Sequence, residues 1–271
     1  MRKALVALVV LGALAFVFPV QAGAAVGRFI IRCGYSHSLP DDPIVHFGQP
    51  GASHAHDFYG NVSEDAFSTV DTMVGEATTC KTAADPSGYW VPTTYINGVP
   101  VKPIRVITYW EAPANQTVET IPMGLQMIAG DHDSMVPQST AHVGWACDND
   151  TAGVVHSPIL DHPYDCTPYN AAVGHGNGVV ERAIFPSCWD GVGLAPADVT
   201  YPPCRKPYTH KLLRLTARFH LGIMTPDGLT LSSGPYTTLH FDFFNAFDPD
   251  RLQALVSTCL DAHINCKQVT S

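Results

Sequence analysis

Charge is what this chain has least of: Asp, Glu, Lys and Arg together make up 14% of its 271 residues, well under the usual quarter. The little that is present leans acidic, with 24 carboxylates against 15 basic residues. No Lys/Arg cluster occurs along the sequence, so the primary structure shows no electrostatic footprint for a polyanion, and nucleic acid is not an expected partner. Past the N-terminal segment no apolar run reaches about eighteen residues, which excludes an integral membrane helix from the mature protein. The sequence also has no C-x-x-C, G-x-S-x-G, P-loop or H-E-x-x-H. These absences argue against a zinc ribbon or thioredoxin-like site, a serine α/β-hydrolase, a nucleotide enzyme and a zincin protease.

The N-terminus has the form of an export signal. Arg2 and Lys3 precede an apolar stretch from Ala4 to Val20, and Val20-Gln21-Ala22 or Ala22-Gly23-Ala24 supplies small residues for cleavage. Residues 1–24 are therefore expected to be a signal peptide, and 25–271 a single secreted β-rich domain. Loss of Arg2 and Lys3 takes the formal charge from −9 to about −11. All eight cysteines lie downstream, and an even number in an exported chain argues for disulfides. Eight cysteines allow 105 connectivities; sequential pairing is the expectation. It would close short loops at Cys147/Cys166, Cys188/Cys204 and Cys259/Cys266, each constraining the unfolded chain by roughly 2–4 kcal/mol.

Twenty-two glycines and 22 prolines are scattered at short intervals. They punctuate β-type runs at Gly27–Arg32, Val101–Trp110, Val179–Phe185, Leu212–Ile223 and Thr237–Phe244. Many short strands between turn signals, without alternating amphipathic helices, predict a mainly β, single-domain β-sandwich or jelly-roll-like fold, loop-rich and disulfide-stapled. One helix is expected near the end, with Asp248 as N-cap, Pro249 at its first position, and Leu252, Leu255, Val256 and Cys259 lining one face.

Two segments carry the candidate chemistry. In Ser53-His54-Ala55-His56-Asp57-Phe58-Tyr59-Gly60, strand parity sends His54, His56 and Phe58 one way and Ala55, Asp57 and Tyr59 the other. In Leu239-His240-Phe241-Asp242-Phe243, His240 and Asp242 share a face, and the phenylalanines take the core. Were these two strands side by side, His54, His56, His240 and Asp242 would form a three-nitrogen, one-oxygen set suited to zinc, manganese, iron or copper. The plainer reading of H-x-H on a strand is a pair of exposed or hydrogen-bonded histidines, with Asp242 capping a turn. A cupin motif is not sustained, because Gly60 and Asn61 occupy the places where its glutamate belongs, Glu64 comes too late, and His240 is too distant. Phe185-Pro186-Ser187-Cys188-Trp189-Asp190-Gly191 reads as a disulfide-anchored loop. Its functional alternative stacks Trp189 on a sugar ring with Asp190 and Tyr59 as hydroxyl partners, on a platform extended by Trp90, Trp110 and Trp145. Asn61, Asn115 and Asn149 head sequons.

In order along the chain, Asp42-Pro43-Ile44-Val45, Ser53-His54-Ala55-His56, Gly60-Asn61, Tyr89-Trp90-Val91-Pro92, Met127-Ile128-Ala129-Gly130, the Trp189 loop, Leu231-Ser232-Ser233-Gly234, His240-Phe241-Asp242-Phe243 and Phe247-Asp248 resemble the secreted domain-of-unknown-function 1996 family of bacteria and fungi. The resemblance implies a secreted domain connected with extracellular glycans, and it brings no assigned reaction. Two departures stand out. Where the family usually has a serine-histidine pair this chain reads Asp198-Val199-Thr200-Tyr201-Pro202, with His210 a candidate for a neighbouring role, and Phe241 replaces a usually small residue.

The expected function is a secreted carbohydrate-active enzyme acting on extracellular polysaccharide or glycoconjugate. Its cleft would hold His54, His56, Asp57, His240 and Asp242, with one divalent ion as the candidate cofactor and Asp57 or Asp242 as acid or base. The alternative is a non-catalytic secreted glycan- or metal-binding protein. A copper monooxygenase of the kind that uses an N-terminal imidazole is disfavoured, because the mature chain would begin near Gly23 or Ala25.

Overall fold

A computed structural model of the protein describes residues 26–148, 157–169 and 178–270. The signal segment and the Asn149 sequon lie outside them. The strands are β1 (Gly27–Leu39), β2 (His56–Gly60), β3 (Gly88–Pro92), β4 (Thr94–Ile96), β5 (Val99–Pro100), β6 (Arg105–Ala112), β7 (Gln126–Gly130) and β8 (Val143–Asp148). They continue with β9 (Gly178–Ile184), β10 (Cys188–Trp189), β11 (Val199–Thr200), β12 (His210–Lys211), β13 (Arg214–His220), β14 (Leu229–Leu231), β15 (His240–Phe244) and β16 (Asn265–Gln268). The architecture is mainly β, as expected.

One hydrogen-bonded path runs β7, β15, β3, β2, β1, β6, β13, β9, β8, with β16 alongside β1. It folds into two layers because β1 serves both. Its first half, Gly27 to Gly34, pairs with β6, and its second half, Tyr35 to Leu39, pairs with β2 past a register shift. Alternating apolar residues then meet between the layers: Phe219 of β13 stacks on Phe241 at 5.2 Å, Tyr59 packs on Phe219 at 5.0 Å, and Trp110 meets Phe243 at 6.1 Å. Phe241 is therefore a core residue, and burying an aromatic of its kind contributes roughly 1.5–3 kcal/mol. Trp90, Trp110 and Trp145 are also buried. They are core, not the sugar platform the sequence suggested.

All four disulfides pair sequentially, Cys33–Cys80, Cys147–Cys166, Cys188–Cys204 and Cys259–Cys266. The C-terminal helix runs Pro249–Leu255, capped by Asp248, whose carboxylate accepts from the Arg251 N–H at 2.7 Å. Leu252, Leu255, Val256 and Cys259 are buried, as expected. The helical end docks so closely on β1 that a Cβ at Gly27 would stand 2.1 Å from the Leu260 carbonyl oxygen. Among the described residues no helix is long and apolar enough to cross a membrane. Asn61 is interior, its amide donating to the Met73 and Pro86 carbonyls, so its sequon is not presented for modification.

In one respect the fold corrects the sequence reading of charge. Strand alternation collects Arg28, Arg32, Arg105, Arg182, Arg214 and Arg218 on the outer face of the β1, β6, β13, β9 layer, although they are scattered along the chain.

Candidate metal centre

The outer face of the other layer carries the histidines. Strand β15 presents His240, Asp242 and Phe244 outward and buries Phe241 and Phe243 in the core, which is the parity read from the sequence. Strand β2 presents His56 and Phe58 on the same side, with His54 just before it. The two strands are not neighbours, however: β3 lies between them, pairing Phe58 with Trp90 and Trp90 with Asp242. His56 and His240 therefore meet across β3, above Pro92, whose compact ring pairs with His56.

Three imidazole nitrogens converge there. His240 Nε2 stands 3.2 Å from His54 Nε2 and 3.4 Å from His56 Nε2. Two of the rings have their tautomers set by the backbone. His56 Nδ1 donates to the Asp41 carbonyl and His240 Nδ1 to the Thr238 carbonyl, both at 2.9 Å. In the neutral rings that leaves two Nε2 lone pairs facing each other with no proton between them, an arrangement that carbonyl-anchored metal ligands share. Asp242 Oδ2 is 3.9 Å from His240 Nε2, and both Asp242 oxygens are buried without a hydrogen-bond partner. Four ligands about 2.0–2.1 Å from a tetrahedral ion would stand about 3.3 Å from one another. The three imidazoles thus fit a divalent ion in spacing and lone-pair direction, and Asp242, grouped with His56 and Asp42, adds an unsatisfied buried carboxylate beside them.

Electrostatics agree. Burial first, then the other histidines, holds His54 down at about 4, His240 at about 3 and His56 well below the usual imidazole range. Burial, reinforced by Asp42 and Glu64, pushes the Asp242 carboxyl well up. Burial thus favours the neutral form of the imidazoles and of the acid alike; a bound cation would keep the imidazoles neutral and favour the ionised carboxylate.

Residues that the sequence did not single out complete the site. Asp42 folds its own loop by accepting from the Ile44 and Val45 N–H groups at 2.9 and 3.0 Å, and it lies within 4.8 Å of both His56 and Asp242. His46 and His132 line the cleft with Asp42, Ser53, His54 and His240, around a cavity of about 120 Å³. Glu64, set aside on spacing, is buried beside Gly88 with both oxygens unpartnered; a Cβ on Gly88 would collide with its carboxylate at about 2 Å. The Asp42-Pro43 turn was the available signal for this loop. Nothing in the sequence marks His46, His132 or Glu64.

Other expected site residues are elsewhere. Asp57 points away from the histidines and accepts from Ser38 and Thr93 at 2.5 and 2.9 Å; burial lifts it to about 6. Tyr59 is wholly interior, so it is not a surface sugar contact. Trp189 donates its indole N–H to the Gly193 carbonyl at 2.6 Å, while Asp190 caps that turn through Val192 and Gly193. Their loop meets β7 at Gln126, the end opposite Gly130, which pairs with His240. Asp198 to Tyr201 belong to the Trp189 region, so the departure from the family pattern there lies outside the histidine cluster. His210 is bonded to Glu119 at 2.9 Å and packs on Trp189.

A family model described as "Domain of unknown function (DUF1996)" matches residues 42–246. That span runs from the Asp42 turn past the last ligand candidate, Asp242. The chain belongs to this family. No curated protein and no solved structure shows significant similarity to it.

Proposed function

We propose that this member of the DUF1996 family is a secreted metal-dependent carbohydrate-active enzyme, with a divalent ion held by His54, His56, His240 and Asp242. The observation that carries the reading is the convergence of three Nε2 atoms, two of them aimed by Nδ1 donation to backbone carbonyls. An ion in that position supplies Lewis acidity to a substrate oxygen or a water. The cleft of about 120 Å³ is well below the ~300 Å³ of a pocket that engulfs a whole small molecule. It suits one substituent or chain end of a polysaccharide or glycoconjugate. His46 and His132 stand on the wall to hold or relay a proton at that group, and Ser53 offers it a hydroxyl. Hydrolysis by a carboxylate pair that includes Asp57 is disfavoured, since Asp57 faces the other side of β2.

The near-complete burial of His56 and His240 favours a second reading, a secreted protein that binds metal without turnover. Elemental analysis of the purified protein, before and after chelation and zinc reloading, combined with assays for released reducing ends and released acyl groups from cell-wall polymers, separates the two. Metal-dependent product release that His240→Ala abolishes supports the enzyme. Stoichiometric metal without turnover supports the binder, and no metal binding by the wild type at micromolar zinc rejects both.

A further inference from the structure

The second unbalanced surface is the outer face of the β1, β6, β13, β9 layer. Six of the chain's nine arginines stand on it. One row across the strands reads Arg28, Glu111, Arg214; another reads Arg32, Ile107, Arg218, Arg182; a third sets Arg105 beside His220. Against these six guanidiniums the strand face offers two carboxylates among the described residues, Glu111 and Asp148. Glu111 is already shared, accepting from Arg28 Nε at 2.6 Å and Arg214 Nε at 3.1 Å. Asp148 pairs with the buried His220 at 2.8 Å.

Two observations indicate that the carboxylates on this face do not balance its guanidiniums. The Nε atoms of Arg32 and Arg105 are buried without a hydrogen-bond partner. Arg182 is lowered to about 10, first by burial and then by Arg218 and Arg214, so these charges crowd one another. The face belongs to a chain whose net charge is −9, and its positive charge is therefore a local concentration set against the whole molecule.

We propose that this face anchors the protein to an acidic extracellular polysaccharide, a chain carrying carboxylates along its length. The row of Arg28 and the row of Arg32 are four residues apart on β1, or about 13 Å along the strand, too far for one small anion to bridge. Arginine's planar fork suits carboxylates. A single-stranded nucleic acid would need aromatic surface on which to stack its bases. Among the described residues of these strands the one aromatic side chain on this face, apart from the buried His220, is Tyr109, which is 7% exposed and lies beneath Arg28 and Arg218 at 5.6 and 4.8 Å. The inference does not depend on the histidine cluster, which occupies the outer face of the other layer.

The test is titration of the full-length mature protein with polygalacturonate at low salt, with a neutral glucan and single-stranded DNA as comparators. Wild type should bind the polyuronate in preference to both, and added salt should weaken the binding. Arg32→Gln/Arg105→Gln should weaken it at least about tenfold, whereas Lys206→Gln/Lys211→Gln, with the same charge change elsewhere, should leave it within about twofold. Should the arginine pair melt early, the single variants carry the test, each with a loss of about threefold, and Arg32→Lys should retain most binding. Metal content serves as the readout for the other face and should not change. Absence of binding by wild type, equal losses in the two double variants, or tighter binding to DNA would overturn the proposal.

Discussion

On the outer face of the β2, β3, β15, β7 layer the ionisable side chains carried by the strands are buried, with His240 and Asp242 at 5% and 1% side-chain exposure, whereas on the opposite outer face Arg28 and Arg214 keep 36% and 43%. The difference follows from what each group can do with a proton. An imidazole gives one up and a carboxyl takes one, so histidines and aspartates tolerate a closed cleft in neutral form. Arginine cannot discharge, so its face stays partly in water and shares the few carboxylates within reach. Groups that can shed their charge make a pocket. Fixed charges make a surface.

Carboxylate removal probes this comparison most strongly. Glu111→Gln takes the shared partner from two arginines and should cost about 3 kcal/mol, the low end for a buried pair because the guanidiniums are partly exposed. In metal-free protein at neutral pH Asp242→Asn should cost nothing and raise the melting temperature, because burial holds the Asp242 carboxyl well above its usual range and an amide has no charge to discharge on folding. Urea denaturation of the two variants checks both signs. Next, His240→Ala should weaken zinc binding by more than about 100-fold, beyond the 10–100-fold that loss of a group hydrogen-bonded to a ligand causes, as read by competition with a chelating dye.

A smaller effect tests the core between the faces. Burial lifts Glu181 to about 8, although Thr94 donates to it at 2.8 Å. Its folded pKa is above its unfolded value, so between about pH 4.5 and 8 the folded state holds a proton that the unfolded state has lost, and stability falls as pH rises through that window. Glu181→Gln should remove this slope and gain on the order of 2 kcal/mol at pH 8, with little change at pH 4; denaturant midpoints across the range measure it. Smallest of all, Asp57→Asn and Trp189→Ala should leave zinc affinity within about twofold, as expected for side chains outside the cluster. A larger loss in either would mean that the cluster extends past β2 or along β7.

The candidate centre was legible in part. Residues two apart on a strand share a face in any fold, so His54 with His56, and His240 with Asp242, could be paired from the sequence. That the pairs bridge β3, and that the Asp42 turn brings His46 over them, depends on contacts between segments far apart in the chain. Trp189 and Asp190 drew attention by composition, but their polar groups are used in their own turn.

Local rules alone determined the alternation that sorts core phenylalanines from outward His and Asp, the capped C-terminal helix, and cysteine pairs close enough in sequence to favour sequential bonds. Tertiary structure decided the strand order, and with it the two properties no single segment contains: three imidazole nitrogens within reach of one ion, and six scattered arginines on one surface. The reason is that side-chain parity is set by neighbouring peptide units, whereas strand order is set by which apolar faces bury one another across the whole chain.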